Sequence, residues 1–149
     1  VVWAVKGSFK KQHDPKILPS GHLLLFDNRG RLPHSRVLEF HPARPDTLTW
    51  EYSGSKEVPF LSFNCGTAER LPNGNTLITE SDGGRAFEVT PEKEIVWEFY
   101  NPHRAGDDQE LIATLFELVR LPPDFPIDWV HGTGATDAPA PDQGNTFDR

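Results

Sequence analysis

The chain has 149 residues, room for one ordinary domain, and carries 22 acidic against 15 basic side chains for a formal net charge of −7. That balance argues against a nucleic-acid binder, which needs a basic face to neutralise phosphates, and no apolar run approaches the roughly 20 residues of a spanning helix. The single cysteine, Cys65, excludes an internal disulfide and a multi-cysteine zinc site, while 14 prolines and 12 glycines call for many turns and short strands.

Val1-Val2-Trp3-Ala4-Val5 reads as a strand already under way, the end of a unit over residues 1–6. Neither an initiator methionine nor a basic region followed by an apolar one precedes it, so a fragment or processed product is expected. A first full unit follows over 13–52 and a second over 60–100. In the second, strands are predicted at 66–70, 76–81, 85–89 and 95–99. Their separators are Pro72-Asn73-Gly74-Asn75, Asp82-Gly83-Gly84 and Thr90-Pro91-Glu92-Lys93, all turn sequences. A polar loop from Asn101 leads into Leu111-Ile112-Ala113-Thr114-Leu115-Phe116-Glu117-Leu118-Val119-Arg120, read as strand in a partial unit over 101–131. Leu121-Pro122-Pro123 ends it, because proline removes a donor and fixes φ. Residues 132–149, rich in Gly, Ala, Pro, Asp and Thr, read as a disordered tail.

The units are copies of one another. Trp3, Trp50 and Trp97 are spaced by 47 residues each time, and Trp50-Glu51-Tyr52 parallels Trp97-Glu98-Phe99. Leu18-Pro19-Ser20-Gly21-His22 matches Leu71-Pro72-Asn73-Gly74-Asn75 at an offset of 53, and 35–42 matches 84–91 at 49. The decreasing offsets put four extra residues in the first unit's middle turn and two in its last. Four short antiparallel strands repeating every 40–50 residues is the pattern of a β-propeller blade. The fold class read here is therefore all-β, with about two and a half to three propeller blades and the tryptophan packing between them. A β-sandwich with coincidental tryptophan spacing is the alternative.

Of the six histidines, His22, His34 and His41 fall at predicted turns, where an exposed side chain is the simplest reading. His13 stands apart: it lies where the innermost strand begins, and the offset of 53 places Gly66 opposite it, so it breaks the repeat. Innermost strands line a propeller's channel, which makes His13 the candidate functional residue; a histidine merely satisfied by Asp14 or a turn backbone is the other reading. Lys6, Lys10, Lys11 and Lys16 surround it, either attracting an anionic substrate or forming an exposed edge. Asp107, Asp108 and Glu110 lack calcium-loop spacing and read as solvated acids, and Cys65 reads as a small buried strand residue. No cofactor or metal motif is present in the sequence.

Taken in order, Lys11-Gln12-His13-Asp14-Pro15, Leu24-Leu25-Phe26-Asp27-Asn28-Arg29-Gly30, Ser35-Arg36-Val37 and Trp50-Glu51-Tyr52 resemble the arylsulfotransferase (arylsulfate sulfotransferase) family. So do Ala68-Glu69-Arg70-Leu71-Pro72-Asn73-Gly74-Asn75, Phe87-Glu88-Val89-Thr90-Pro91 and Ile95-Val96-Trp97-Glu98, the whole covering about residues 1–130. The resemblance implies the C-terminal part of a six-bladed propeller whose axial histidine is transiently sulfated. It implies transfer of a sulfuryl group from an aryl sulfate to a phenolic acceptor, both small molecules, with no cofactor. The family's nucleophile lies in a Gln-His pair ahead of a Phe-Asp-Asn strand, which places it on His13. Its other site histidines and an arginine come from earlier blades, so the fragment alone is expected to be inactive. Export to the periplasm or medium is implied by the resemblance only.

Two functions from different classes thus stay open: a sulfuryl-transferring propeller with His13 as nucleophile, and a non-catalytic propeller serving as a binding or interaction module. A quinoprotein-like propeller is a third, without a calcium–quinone constellation in these blades. The sequence leaves the acceptor and the oligomeric state open.

Overall fold

The computed structural model describes residues 1, 3–7, 9–31 and 33–131, and the expected tail at 132–149 lies outside the described residues. Each unit forms a four-stranded antiparallel sheet whose strands pair in chain order. The first sheet is β1 (Gln12–Ile17), β2 (Leu23–Arg31), β3 (His34–Phe40) and β4 (Leu48–Ser53). The second is β5 (Thr67–Arg70), β6 (Thr76–Glu80), β7 (Arg85–Val89) and β8 (Ile95–Tyr100). β9 (Arg104–Ala105) and β10 (Leu111–Ile112) form a two-stranded ladder, and a 3-10 turn covers Asp128–His131. Among the described residues there is no α-helix.

The predicted turns set these boundaries through local chemistry. Gly21 and Gly74 both adopt left-handed φ, +81° and +89°. Each closes the same pair of turn bonds: Gly21 N–H donates to the Leu18 carbonyl at 2.8 Å and Gly74 N–H to the Leu71 carbonyl at 2.9 Å. The first unit's four-residue insertion is not a simple loop. It lengthens β2 to nine residues and shifts the β2–β3 register between Asp27 and Arg31. His34, expected in that turn, therefore opens β3 opposite Arg31.

The sheets stack in the same sense. Leu24, Phe26, Val37 and Tyr52 of the first share one core with Ala68, Ile78, Phe87 and Val89 of the second. Phe60, in the link between sheets, is fully buried at its centre, with Phe26, Tyr52 and Phe87 rings 5.5–5.7 Å away. Trp50 packs on this core and donates its indole N–H to the Pro91 carbonyl of the next unit at 2.9 Å. Leu25, Leu38 and Phe40 line the opposite face of the first sheet, with Phe9 stacked on Phe40 at 5.3 Å.

The ends depart from expectation. Among the described residues of 1–7 none is in a strand, although Trp3 and Val5 border the apolar face made by Leu25 and Phe40. The run 111–120 is strand only at Leu111–Ile112. Beyond it the chain lies against the second sheet, where Leu115 N–H donates to the Ser81 carbonyl at 3.1 Å and Leu118 N–H to Thr79 Oγ1 at 3.1 Å. With its donors taken singly by sheet atoms, it builds no ladder.

Candidate active site around His13

β1 does not copy β5. In β5, Thr67 faces Thr79 and every residue to Arg70 follows in register. In β1, Lys16 and Ile17 keep the corresponding places, but the register shifts between His13 and Lys16, so His13 rather than Asp14 faces Phe26. One extra residue has been accommodated as a β-bulge, the device by which strands re-aim a side chain. Asp14 absorbs it at φ +48°, and Lys11, on the other side of His13, is also left-handed at φ +56°. For residues with a Cβ these conformations cost energy and must be held from outside. Asp14 is held by its carboxylate, which accepts the Ala68 N–H at 2.9 Å and pairs with Lys16 at 3.1 Å. Asp14 therefore serves the bulge and the contact between sheets, and does not orient the imidazole.

The ring is oriented by Asn28. His13 Nδ1 lies 2.7 Å from Asn28 Oδ1 and 3.0 Å from the Lys11 carbonyl oxygen. The Asn28 amide has one possible orientation. It is fully buried, and its Nδ2 donates to the Ser62 and Cys65 carbonyls, each at 2.8 Å. Two carbonyls can only accept, so Nδ2 is where it must be and Oδ1 faces the histidine. Nδ1 then meets two acceptors and must carry the proton. In the neutral imidazole the lone pair is left on Nε2.

A second layer of buried polar groups holds Asn28. The Ser35 hydroxyl lies 2.9 Å from the Asn28 carbonyl oxygen and accepts the Ser62 N–H at 2.9 Å. Asp27, fully buried, takes the Lys10 and Gly30 N–H groups at 2.9 and 3.0 Å and two bonds from Arg36, the shorter at 2.5 Å. The Gln-His, Phe-Asp-Asn and Ser-Arg stretches, separate in sequence, thus converge on one histidine. Gly66, opposite His13 in the repeat, has φ +151°, and any side chain there would strike the Phe26 ring.

The other candidates are placed elsewhere. His22 is not simply an exposed turn residue: half-buried, its Nδ1 sits 2.9 Å from Glu39 Oε1. His41 is exposed and accepts the Ala43 N–H at 3.1 Å. Of the basic stretch, Lys16 is committed to Asp14 and Lys11 donates to Asn64 Oδ1 at 3.1 Å. Cys65 lies in the link before β5, half-buried, and not in a strand. Among the described residues no three His, Cys, Asp or Glu side chains are placed to hold one metal ion. Sequence reasoning missed Asn28 as the partner. Its signal was available, since the offset of 53 sets Ser81 opposite Asn28, so both members of the His13–Asn28 pair break the repeat together.

The family model described as arylsulfotransferase (ASST) matches residues 1–102. The chain belongs to the arylsulfotransferase family. The match takes in both sheets and every residue of the His13 site. No curated protein and no solved structure matches the chain. Membership supports a sulfotransferase-like function with small-molecule substrates. No helix among the described residues is long and apolar enough to cross a membrane.

Proposed function

We propose that this chain carries the nucleophilic histidine of an arylsulfate sulfotransferase, that the histidine is His13, and that the stacked sheets are blades from the C-terminal part of its propeller. The observation that carries this reading is the pair of acceptor oxygens on Nδ1, which assigns the proton there and leaves the lone pair on Nε2 of a side chain re-aimed by a bulge.

The chemistry balances as two displacements. Nε2 attacks the sulfur of ArO–SO3⁻; the N–S bond forms, the S–O(aryl) bond breaks, and the aryl oxygen leaves as phenolate with the bonding pair. The ring then carries a positive charge beside its SO3⁻ group. That developing charge is met by the Asn28 Oδ1 and Lys11 carbonyl oxygens, which face the Nδ1–H and strengthen as acceptors when the ring becomes cationic. A second phenolate attacks the sulfur, the N–S bond breaks, and neutral His13 returns with its Nδ1 proton in place. A covalent intermediate divides one transfer into two easier steps. By the family resemblance the other site groups come from earlier blades, so activity is sought in a chain that includes them.

The test is transfer from 4-nitrophenyl sulfate to a phenol by that longer protein. His13→Ala and His13→Asn should each lower the rate by about 10³-fold or more, as loss of a covalent nucleophile does. Quenching at high pH should trap an added SO3 mass on the peptide containing His13. An active enzyme whose rate survives His13→Ala, or whose label sits on another residue, overturns the assignment. A protein that binds no aryl sulfate is instead the non-catalytic binding module.

A further inference from the structure

Arginine is partnered almost everywhere in these sheets. Arg36 pairs with Asp27, Arg70 with Glu39, Arg85 with Glu80 and Glu98, and Arg120 with Glu88. Arg29 is the exception among the half-buried and buried arginines described: no carboxylate pairs with it. Its guanidinium carbon lies 4.3 Å from the centre of the Phe63 ring, and its Nε is buried with no hydrogen-bond partner. A planar cation seated on an aromatic face keeps its N–H donors free around its rim. A buried donor without an acceptor calls for one from outside the chain, and a guanidinium selects an oxyanion.

Its position ties it to His13. Arg29 follows Asn28, whose amide holds the imidazole, and its N–H is fixed to the Lys10 carbonyl at 3.0 Å. Phe63 precedes Asn64, which accepts Lys11 Nζ, and the Lys11 carbonyl faces His13 Nδ1. Asp82 directs its carboxylate to the Phe63 and Asn64 N–H groups at 2.6 and 3.3 Å. Arg29 and Lys11 therefore bring two cations to the His13 end of the first sheet. In the second unit the offset of 53 sets Asp82 opposite Arg29, so this position also breaks the repeat, with reversal of charge.

We propose that Arg29 is a substrate-binding residue of the His13 site, donating to the terminal oxygens of a sulfate monoester. This rests on the sulfuryl-transfer reading for the ligand's identity, but its binding test does not require turnover. In the longer protein carrying His13→Ala, calorimetry measures 4-nitrophenyl sulfate against neutral 4-nitrophenol. Arg29→Gln should weaken the sulfate ester at least about tenfold, the worth of a charge-assisted hydrogen bond, and leave the phenol unchanged. Arg29→Lys, which keeps the charge but loses the planar fork, should recover part of the loss. In the parent enzyme Arg29→Gln should raise the KM for the sulfate ester. Equal affinity for the ester in Arg29→Gln and parent overturns the proposal, as does equal loss of ester and phenol, which marks a structural role. Absence of ester binding altogether overturns it as well. Arg29-dependent binding in a protein that never labels His13 would instead sink the nucleophile and leave Arg29 standing.

Discussion

At His13 the decisive atom is its neighbour's amide nitrogen. Asn28 Nδ2 faces two carbonyls, and that fact turns Oδ1 toward the imidazole and sets which ring nitrogen keeps its lone pair. Replacing the side chain takes the amide donor from the half-buried Cys65 carbonyl and leaves the Ser62 carbonyl with the Ser35 hydroxyl at 3.0 Å, and it frees the ring. Asn28→Ala should cost on the order of 1–3 kcal/mol for each group left unsatisfied, read from urea unfolding. On the proposed role of His13 it should also lower kcat for aryl sulfate transfer. His22→Ala should leave kcat unchanged, because that ring serves Glu39. A fall in kcat for His22→Ala comparable to that of Asn28→Ala would contradict this division of roles.

Among the elements, the repeat is a repeat of polar clasps as much as of strands. The third-strand glutamate of each sheet is held by side chains of its own first turn and by an arginine further along the chain. Glu39 meets His22 at 2.9 Å and Arg70 at 2.7 Å; Glu88 meets Asn75 and Arg120, each at 2.6 Å. Each arginine also covers the fourth-strand tryptophan, at 4.9 Å for Trp50 and 5.7 Å for Trp97. Burial alone would push the Glu88 carboxyl up, but the Asn75 and Asn73 amides and Arg120 together hold it below the ordinary carboxylate range. A carboxyl lowered on folding contributes stability above its unfolded value, lost as pH falls through the folded one. The advantage of the parent over Glu88→Gln at pH 6 should therefore shrink on acidification below the ordinary value of 4.5. Denaturant midpoints across that interval measure it, and a difference independent of pH would refute it. Glu80 has the opposite sign. Burial raises its carboxyl against the pull of the Leu61 N–H and Arg85, so its ionised form opposes folding and acidification relieves it.

Over the whole molecule, one residue outside the strands joins the sheets. Phe60 contacts aromatic rings of both, and its backbone carbonyl accepts the Ser35 N–H at 2.9 Å. Phe60→Ala should cost about 3–5 kcal/mol, the range for a large buried aromatic, because neither sheet can collapse into the space alone. The parent should unfold in one transition by circular dichroism and by tryptophan fluorescence, since Trp50 and Trp97 report on different sheets. Two separated transitions in the parent would show that the sheets do not share a core.

Much of this was written locally. Turns at Leu71-Pro72-Asn73-Gly74, Asp82-Gly83-Gly84 and Thr90-Pro91-Glu92-Lys93 place β6, β7 and β8 within a residue of their predicted bounds, because turn chemistry acts over a few residues. The repeat likewise exposed His13 as an interruption, and the arylsulfotransferase resemblance followed from ordered short stretches. The strand expected over 111–120 was less legible, since an apolar β-prone run becomes a strand only where a neighbour offers a ladder. The bulge at Asp14, the amide partner at Asn28 and the central place of Phe60 were decided by tertiary structure. Each depends on contacts between residues far apart in the chain: Asp14 on Ala68, Asn28 on Ser62 and Cys65, Phe60 on Phe87. The sequence by itself determined which histidine differs from its repeat. Only the seating of the link between the sheets against the first sheet decided how that histidine is held and which nitrogen it presents, because the Ser62 and Cys65 carbonyls that turn the Asn28 amide lie 34 and 37 residues along the chain from it.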